Sequence, residues 1–354
     1  MKDLLHDATA LSARVRSGGA QPLIAEAERQ GVAGLLAYRA GADTDPQLTV
    51  LRRRLMLEED LRAGEMRRVI DALGEAGIRA VILKGSALAY TRYPEPWCRT
   101  RADLDLLVAR GDRVAAGGVL ESIGYARGDL VSGTWLMQQD LWERRLVPDA
   151  TQMVDVHVEF TNRAFFATHF PASECLARAV SAPFAGPHGW QLDAADALIF
   201  SCVHRVAHHS CDARLIWSYD IALQAAACDA SDVAQVIARA TAHGLAAVCA
   251  QELRRARDMW DGRGGACAEA VIDALDTAGR TESSRAFLAA GRGPAGDLWL
   301  DLRALPSWHA RAQLMIEHLF PPRGFMLRQP GVTPRNLTWR YARRILAGPF
   351  HWGR

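Results

Sequence analysis

From residue 78 to residue 160 the apolar residues leave helical spacing for short alternating runs, and on both sides helical spacing returns. A period near two marks strands with one buried face, and a period near 3.6 marks amphipathic helices. The chain is therefore expected to fold as an α/β (α+β) protein, a small mixed sheet flanked by helices with a largely helical C-terminal domain. The runs divide it into an N-terminal helical segment (1–75), a sheet-bearing core (76–165) and a helical C-terminal domain (166–354).

Before the sheet, LIAEAERQGVAGLLAYRAG (23–41) and LRRRLMLEEDLRAGEMRRVIDALGEAG (51–77) read as helices, the second stopping at Gly77. IRAVILKGS (78–86) reads as a buried strand leading into a turn and helix, and RADLDLLVA (101–109) as a second strand. A helix over 112–123 is expected to end near Gly124. WERRLV (142–147) and QMVDVHVEF (152–160), joined by a turn at Pro148-Asp149-Ala150, make an antiparallel pair. From about residue 165 the spacing is helical, in runs at 195–210, 214–228, 233–260 and 308–320, with surface loops at 261–265 and 291–296. The last run, NLTWRYARRILAG (336–348), is basic and amphipathic.

Composition narrows the function classes. With 354 residues, 49% of them apolar and 23% charged, the chain is long enough for a full core and is neither disordered nor fibrous. Its 42 basic and 40 acidic side chains leave a net charge of +2, which argues against a protein that coats a duplex. A long nucleic acid is thus the least favoured partner. Lys2 and Lys84 are the only lysines, so Lys84 stands where arginine is used almost everywhere else. The opening MKDLLHDATALSARVRSGG lacks the apolar core of a signal peptide, and no apolar run nears the roughly 18 residues of a membrane span. The cysteines (98, 175, 202, 211, 228, 249 and 267) are scattered and form no CxxC pair. Reduced thiols in a cytoplasmic protein without a membrane partner are expected.

The chemistry concentrates in the sheet. In Asp-Leu-Asp, Asp103 and Asp105 share one strand face and Leu104 and Leu106 the other, and Asp155 and His157 again share a face. Crowded carboxylates repel one another unless a cation neutralises them, and hard cations such as Mg²⁺ take oxygen ligands. Asp103, Asp105 and Asp155 are therefore candidate ligands for Mg²⁺, two ions in an in-line phosphoryl displacement. Lys84, Gly85 and Ser86 lead into a helix whose first N–H groups suit phosphate, and Arg99 and Arg101 offer fork-shaped donors. Taken singly these residues have plainer readings: a solvated strand face for Asp-Leu-Asp, a surface lysine, a packed His157.

The run LKGSALAYTRYPEPWCRTRADLDLLV, followed by VDVHVEF, resembles the nucleotidyltransferase superfamily typified by polymerase beta, and within it a poorly characterised bacterial family. HRVAHHSCDARLIWSYDIALQ and HLFPPRGFM resemble the helical half of that family, so the likeness spans most of residues 55–330. It implies that Gly85 and Ser86 cradle nucleotide phosphates, that Asp103 and Asp105 hold Mg²⁺ and that Asp155 is the third acidic residue. The sixteen residues between Ser86 and Asp103 exceed the usual superfamily spacing, which leaves the separate roles of Lys84, Arg99 and Arg101 open.

His204 and His208 lie four apart on one helix face, with His209 beside them and Asp220 further on. That spacing serves helical metal sites, but the glutamate of HExxH is missing. With His157, residues His204, His208 and Asp220 are candidate acceptor-side residues lining a cleft, or the histidines pair with Asp220. Arg52–Arg54 and the arginines at 254–257 read as solvated helix faces.

The expected activity is Mg²⁺-dependent transfer of a nucleotidyl group from an NTP to an acceptor hydroxyl on a small molecule, peptide or protein. Two alternatives stand beside it. One is a phosphotransferase on the same scaffold; the other is a non-catalytic nucleotide-binding protein of toxin–antitoxin type.

Overall fold

The computed structural model describes residues 1–41, 45–128, 135, 138–148, 150–209, 214–260, 265–289 and 293–347. Asp149, Cys211, the side chain of Cys267, residues 261–264 and residues 291–292 lie outside them. The end of the second expected loop, from Pro294, instead opens the helix Pro294–Ala304, because proline suits a first helical turn. Cys98, Cys175, Cys202 and Cys249 are free thiols. Among the described residues no helix is long and apolar enough to cross a membrane.

Seven strands form one mixed sheet: β1 (Val81–Ile82), β2 (Asp103–Leu107), β3 (Ala126–Arg127), β4 (Gln139–Val147), β5 (Ala150–His157), β6 (Val180–Ser181) and β7 (Trp190–Gln191). Their order is β3-β4-β5-β2-β1-β7-β6. β2 runs parallel to β5 and antiparallel to β1, while β4 and β5 form the antiparallel hairpin expected from the sequence.

Alternation along the central strands sorts the side chains into two environments. Leu104, Leu106, Val154 and Val156 point into a core closed by Met66, Val69, Ile70 and Leu73 of the helix Pro46–Glu75 and by Ala116 and Leu120 of the helix Arg113–Ser122. The long helix begins where Asp45 accepts hydrogen bonds from the N–H groups of Gln47 and Leu48, with Pro46 in the first turn. Gly77, at φ 75°, ends it in the left-handed region.

The opposite sheet face looks toward the helical part. There Val81, Leu83, Leu107 and Phe160 join a second core with Leu36 of the N-terminal helices and with Phe200, Val203 and Val248 of the C-terminal ones. N-terminal and C-terminal helices thus share one apolar interior, tied locally by Ile216 N–H donating to the Gln30 carbonyl at 3.2 Å.

Three expectations change in detail. The run 23–41 is broken at Gly31 into the helices Gln21–Arg29 and Ala33–Ala40; a Cβ at Gly31 would meet Ile216 at 2.8 Å. Gly244, at φ 65°, splits 233–260 into the helices Ala230–Ala242 and Ala246–Met259. Within the stretch read as helical, β6 and β7 form a short hairpin that extends the sheet beside β1. The basic arginine runs are helix surfaces with local partners, as in Arg54–Glu28 and Arg254–Asp276.

Candidate active site

Asp105 and Asp155 are direct partners across the parallel β2–β5 pair, so their side chains leave the sheet on the same side. Asp103 precedes Asp105 by two residues and His157 follows Asp155 by two, which brings all four to that face. The ligand atoms of Asp105, Asp155 and His157 lie within 4.8 Å of one another. Asp105 is 4% exposed, and its Oδ1 contacts Lys84 Nζ at 2.7 Å and His157 Nε2 at 2.8 Å. Gln139 Nε2 donates to Asp155 Oδ2 at 3.4 Å, whereas Asp155 Oδ1 is buried with no hydrogen-bond partner among the described residues.

The charges on these groups are unequal. Burial pushes the Asp105 carboxyl up, but the Lys84 ammonium and His157 outweigh it and hold the group well below the usual carboxylate range. Burial and then the neighbouring Asp105 raise Asp103. Asp155 is pushed up to about 7 by burial, then by Asp105 and Asp103. Burial, then the Lys84 charge, lowers His157. Lys84 thus pairs with Asp105, and among the described residues no salt bridge reaches Asp155. An unpartnered buried oxygen in an acidic, oxygen-rich donor set suits a hard divalent ion.

Lys84 starts the helix Lys84–Thr91 directly after β1, and at φ 49° it occupies the left-handed region that residues with a Cβ seldom adopt. The tight passage from strand to helix aims its side chain at Asp105 and leaves the first N–H groups of the helix beside Gly85 and Ser86. Ser86 Oγ donates to the Asp103 carbonyl at 3.4 Å. A Cβ at Gly85 would lie 3.1 Å from Arg99 Cζ, so glycine is what lets the guanidinium pack against the turn.

Arg99 and Arg101 both line the cavity, with their forks closed on carboxylates. Arg99 Nη2 meets Asp220 Oδ2 at 2.7 Å and its Nε meets Oδ1 at 2.9 Å, while Tyr93 donates to the same Asp220 Oδ1 at 2.7 Å. Arg101 grips Glu59 through two contacts of 2.6 and 2.8 Å. Asp220 therefore anchors the arginine loop to the helix Leu215–Ala227 rather than pairing with the histidines.

A cavity of about 470 Å³ opens in front of Asp103 and Asp105. Lys84, Gly85, Ser86, Arg99 and Arg101 line it together with a cluster of His204, His209, Arg214 and Trp217, and Glu28 and Gly31 also border it. Asp155 and His157 lie one strand over and do not line it. His204 is pushed well below the ordinary histidine range by burial, then by Lys84. The His204 ring lies 5.1 Å from that of His208 and 5.0 Å from that of His209.

The structure thus brings together Lys84, Gly85, Ser86, Asp103, Asp105, Asp155 and His157, with His204 in the cavity lining. Asp220 and His208 stand outside the cavity lining. Trp217, Arg214 and Glu59 had no site signal of their own: an isolated tryptophan on an apolar helix reads as core, and a glutamate in a charged helix as surface.

No curated protein matches the chain. A family model described as "Uncharacterised nucleotidyltransferase" matches residues 17–261, which takes in the sheet, Lys84-Gly85-Ser86, the three aspartates and the wall of the cleft. The chain belongs to this uncharacterised nucleotidyltransferase family.

Proposed function

We propose that the protein transfers a nucleotidyl group from an NTP to an acceptor hydroxyl, with Mg²⁺ held by Asp103, Asp105 and Asp155. The observation that carries this reading is the pairing of Asp105 with Asp155 on one sheet face, beside a strand–turn–helix carrying Lys84, Gly85 and Ser86. Two Mg²⁺ ions, bound there with the triphosphate, would offset negative charge on the attacking and leaving oxygens.

The residues divide the remaining work. The first N–H groups of the helix Lys84–Thr91, with Gly85 and Ser86, receive the phosphates, and the Lys84 ammonium supplies positive charge to them. His157 orients Asp105 through their 2.8 Å contact. Arg99 and Arg101 hold the loop that carries them through Asp220 and Glu59, and so act as positioning residues. The acceptor oxygen forms its bond to the α-phosphorus as the bond to the bridging oxygen breaks, and diphosphate leaves. Asp155, whose Oδ1 has no hydrogen-bond partner among the described residues, takes the acceptor proton.

The division into an N-terminal segment (1–75), a nucleotidyltransferase core (76–165) and a helical part (166–354) belongs to this proposal, as does a cytoplasmic setting. The acceptor is a small molecule, peptide or protein side chain. Incubating the protein with α- or γ-labelled NTP, Mg²⁺ and co-purifying molecules tests it, with mass spectrometry reading the products. Label reaching the acceptor from the α position is the expected result. Label from the γ position alone assigns kinase chemistry, and nucleotide binding with no product assigns a non-catalytic role.

A further inference from the structure

One wall of the cavity is aromatic and cationic. Trp217 lies in the first turn of the helix Leu215–Ala227 and lines the cavity. The His209 ring stacks on its indole with centroids 4.3 Å apart and planes 16° from parallel. Arg214 Cζ lies 4.9 Å and Arg99 Cζ 5.9 Å from the indole centroid. His204, on the same wall, carries a buried Nδ1 with no hydrogen-bond partner among the described residues. Two independent features therefore point to a flat, polar-edged ligand: a layer of π-faces and guanidinium groups, and a ring nitrogen waiting for a partner.

We infer that this wall is the nucleobase subsite: the base of the donor nucleotide packs against the His209–Trp217 stack, and His204 Nδ1 meets its polar edge. This inference rests on the reading of the cleft as an NTP site. Among the described residues lining the cavity, Lys84, Gly85 and Ser86 offer phosphate-binding groups, Asp103 and Asp105 acidic groups, and His204, His209 and Trp217 the aromatic rings. Stacking on aromatic rings and on arginine is the ordinary way in which proteins hold a base, because every base has a π-face.

The test compares ATP with inorganic tripolyphosphate, both with Mg²⁺, by titration calorimetry on the full chain. Tripolyphosphate carries the phosphate contacts without a base. Wild-type protein is expected to bind ATP more tightly, and Trp217→Ala is expected to weaken ATP binding by about 5- to 150-fold, the span that base stacking supplies, while leaving tripolyphosphate binding unchanged. Trp217→Phe retains a stacking face and keeps most of the preference. His209→Ala loses part of it, and serves if Trp217→Ala does not fold. Equal losses for both ligands, or none for either, overturn the subsite and leave the NTP reading intact. Wild-type protein that binds neither ligand overturns both.

Discussion

Asp155 and the buried histidines pull the pH behaviour of the metal-free protein in opposite directions. The folded-state value of Asp155, about 7, lies above the ordinary 3.8, so the folded form favours the protonated carboxyl. The stabilisation is present in full below about pH 4 and disappears as pH rises through about 7. His157 and His204 act with the opposite sign: held below the usual 6.5, they contribute stability above that value and lose it as pH falls. His208 and His318, also lowered by burial, add to this opposing contribution, which is still growing as pH rises through about 6.5. The Asp155 contribution is therefore read as a difference: the metal-free stability of Asp155→Asn relative to wild type should rise from about pH 4 to about 7 and level off above. Mg²⁺ should raise the wild-type Tm more at pH 8 than at pH 6; thermal scans across these pH values, with and without the ion, check both. Asp155→Asn removes the repulsion and should give a metal-free protein at least as stable as wild type at pH 8, with no turnover. Asp105→Asn should also abolish turnover, but it lowers metal-free stability because Lys84 and His157 lose their shared partner. Equal stability changes in the two variants, read by urea unfolding, would contradict this assignment of charges.

At the scale of elements, the arginine loop is fixed by one buried cluster. Arg99, Tyr93 and Asp220 join it to a helix more than a hundred residues later in the chain. Removing one partner of a buried ion pair leaves the other charge uncompensated, so Asp220→Ala should cost about 3–5 kcal/mol of stability. Tyr93→Phe should cost about 1 kcal/mol, the worth of a single hydrogen bond. Denaturant midpoints measure both, and a cost below 1 kcal/mol for Asp220→Ala would show that the pair does not anchor the loop. Gly34→Ala should also be strongly destabilising, because its Cβ would fall 2.5 Å from the Trp97 carbonyl oxygen. What the sequence made legible here was local: the alternation of Asp103, Leu104, Asp105 and Leu106, the turn at Lys84-Gly85, the β4–β5 hairpin and the stop at Gly77 are each set by neighbours in the chain. The β6–β7 hairpin stayed hidden because two-residue strands carry no measurable period. Arg99 and Arg101 read as free phosphate donors because Asp220 and Glu59, which occupy them, are distant in sequence and unremarkable in type.

For the whole molecule, the sheet divides the interior into two cores, and the aspartates sit on the face that meets the helical part. That arrangement follows from composition only in outline. A mixed sheet set between helical stretches was readable from the change of period, but the sharing of one core by N-terminal and C-terminal helices was not, since periodicity says which face is apolar and not what covers it. The site shows the same limit. The carboxylates were readable as a pattern, whereas the aromatic wall came from packing that brings residues 28–31 and 214–217 to one cleft. The account as a whole stands on Asp105 and Asp155 acting together on one divalent ion, and calorimetric titration of the full chain with Mn²⁺ in the presence of an NTP whose α–β bridge cannot be cleaved tests that most directly. Wild-type protein should bind the ion stoichiometrically, and Asp105→Asn and Asp155→Asn, with unchanged circular dichroism, should each lose it. Wild-type affinity in both variants would contradict the account.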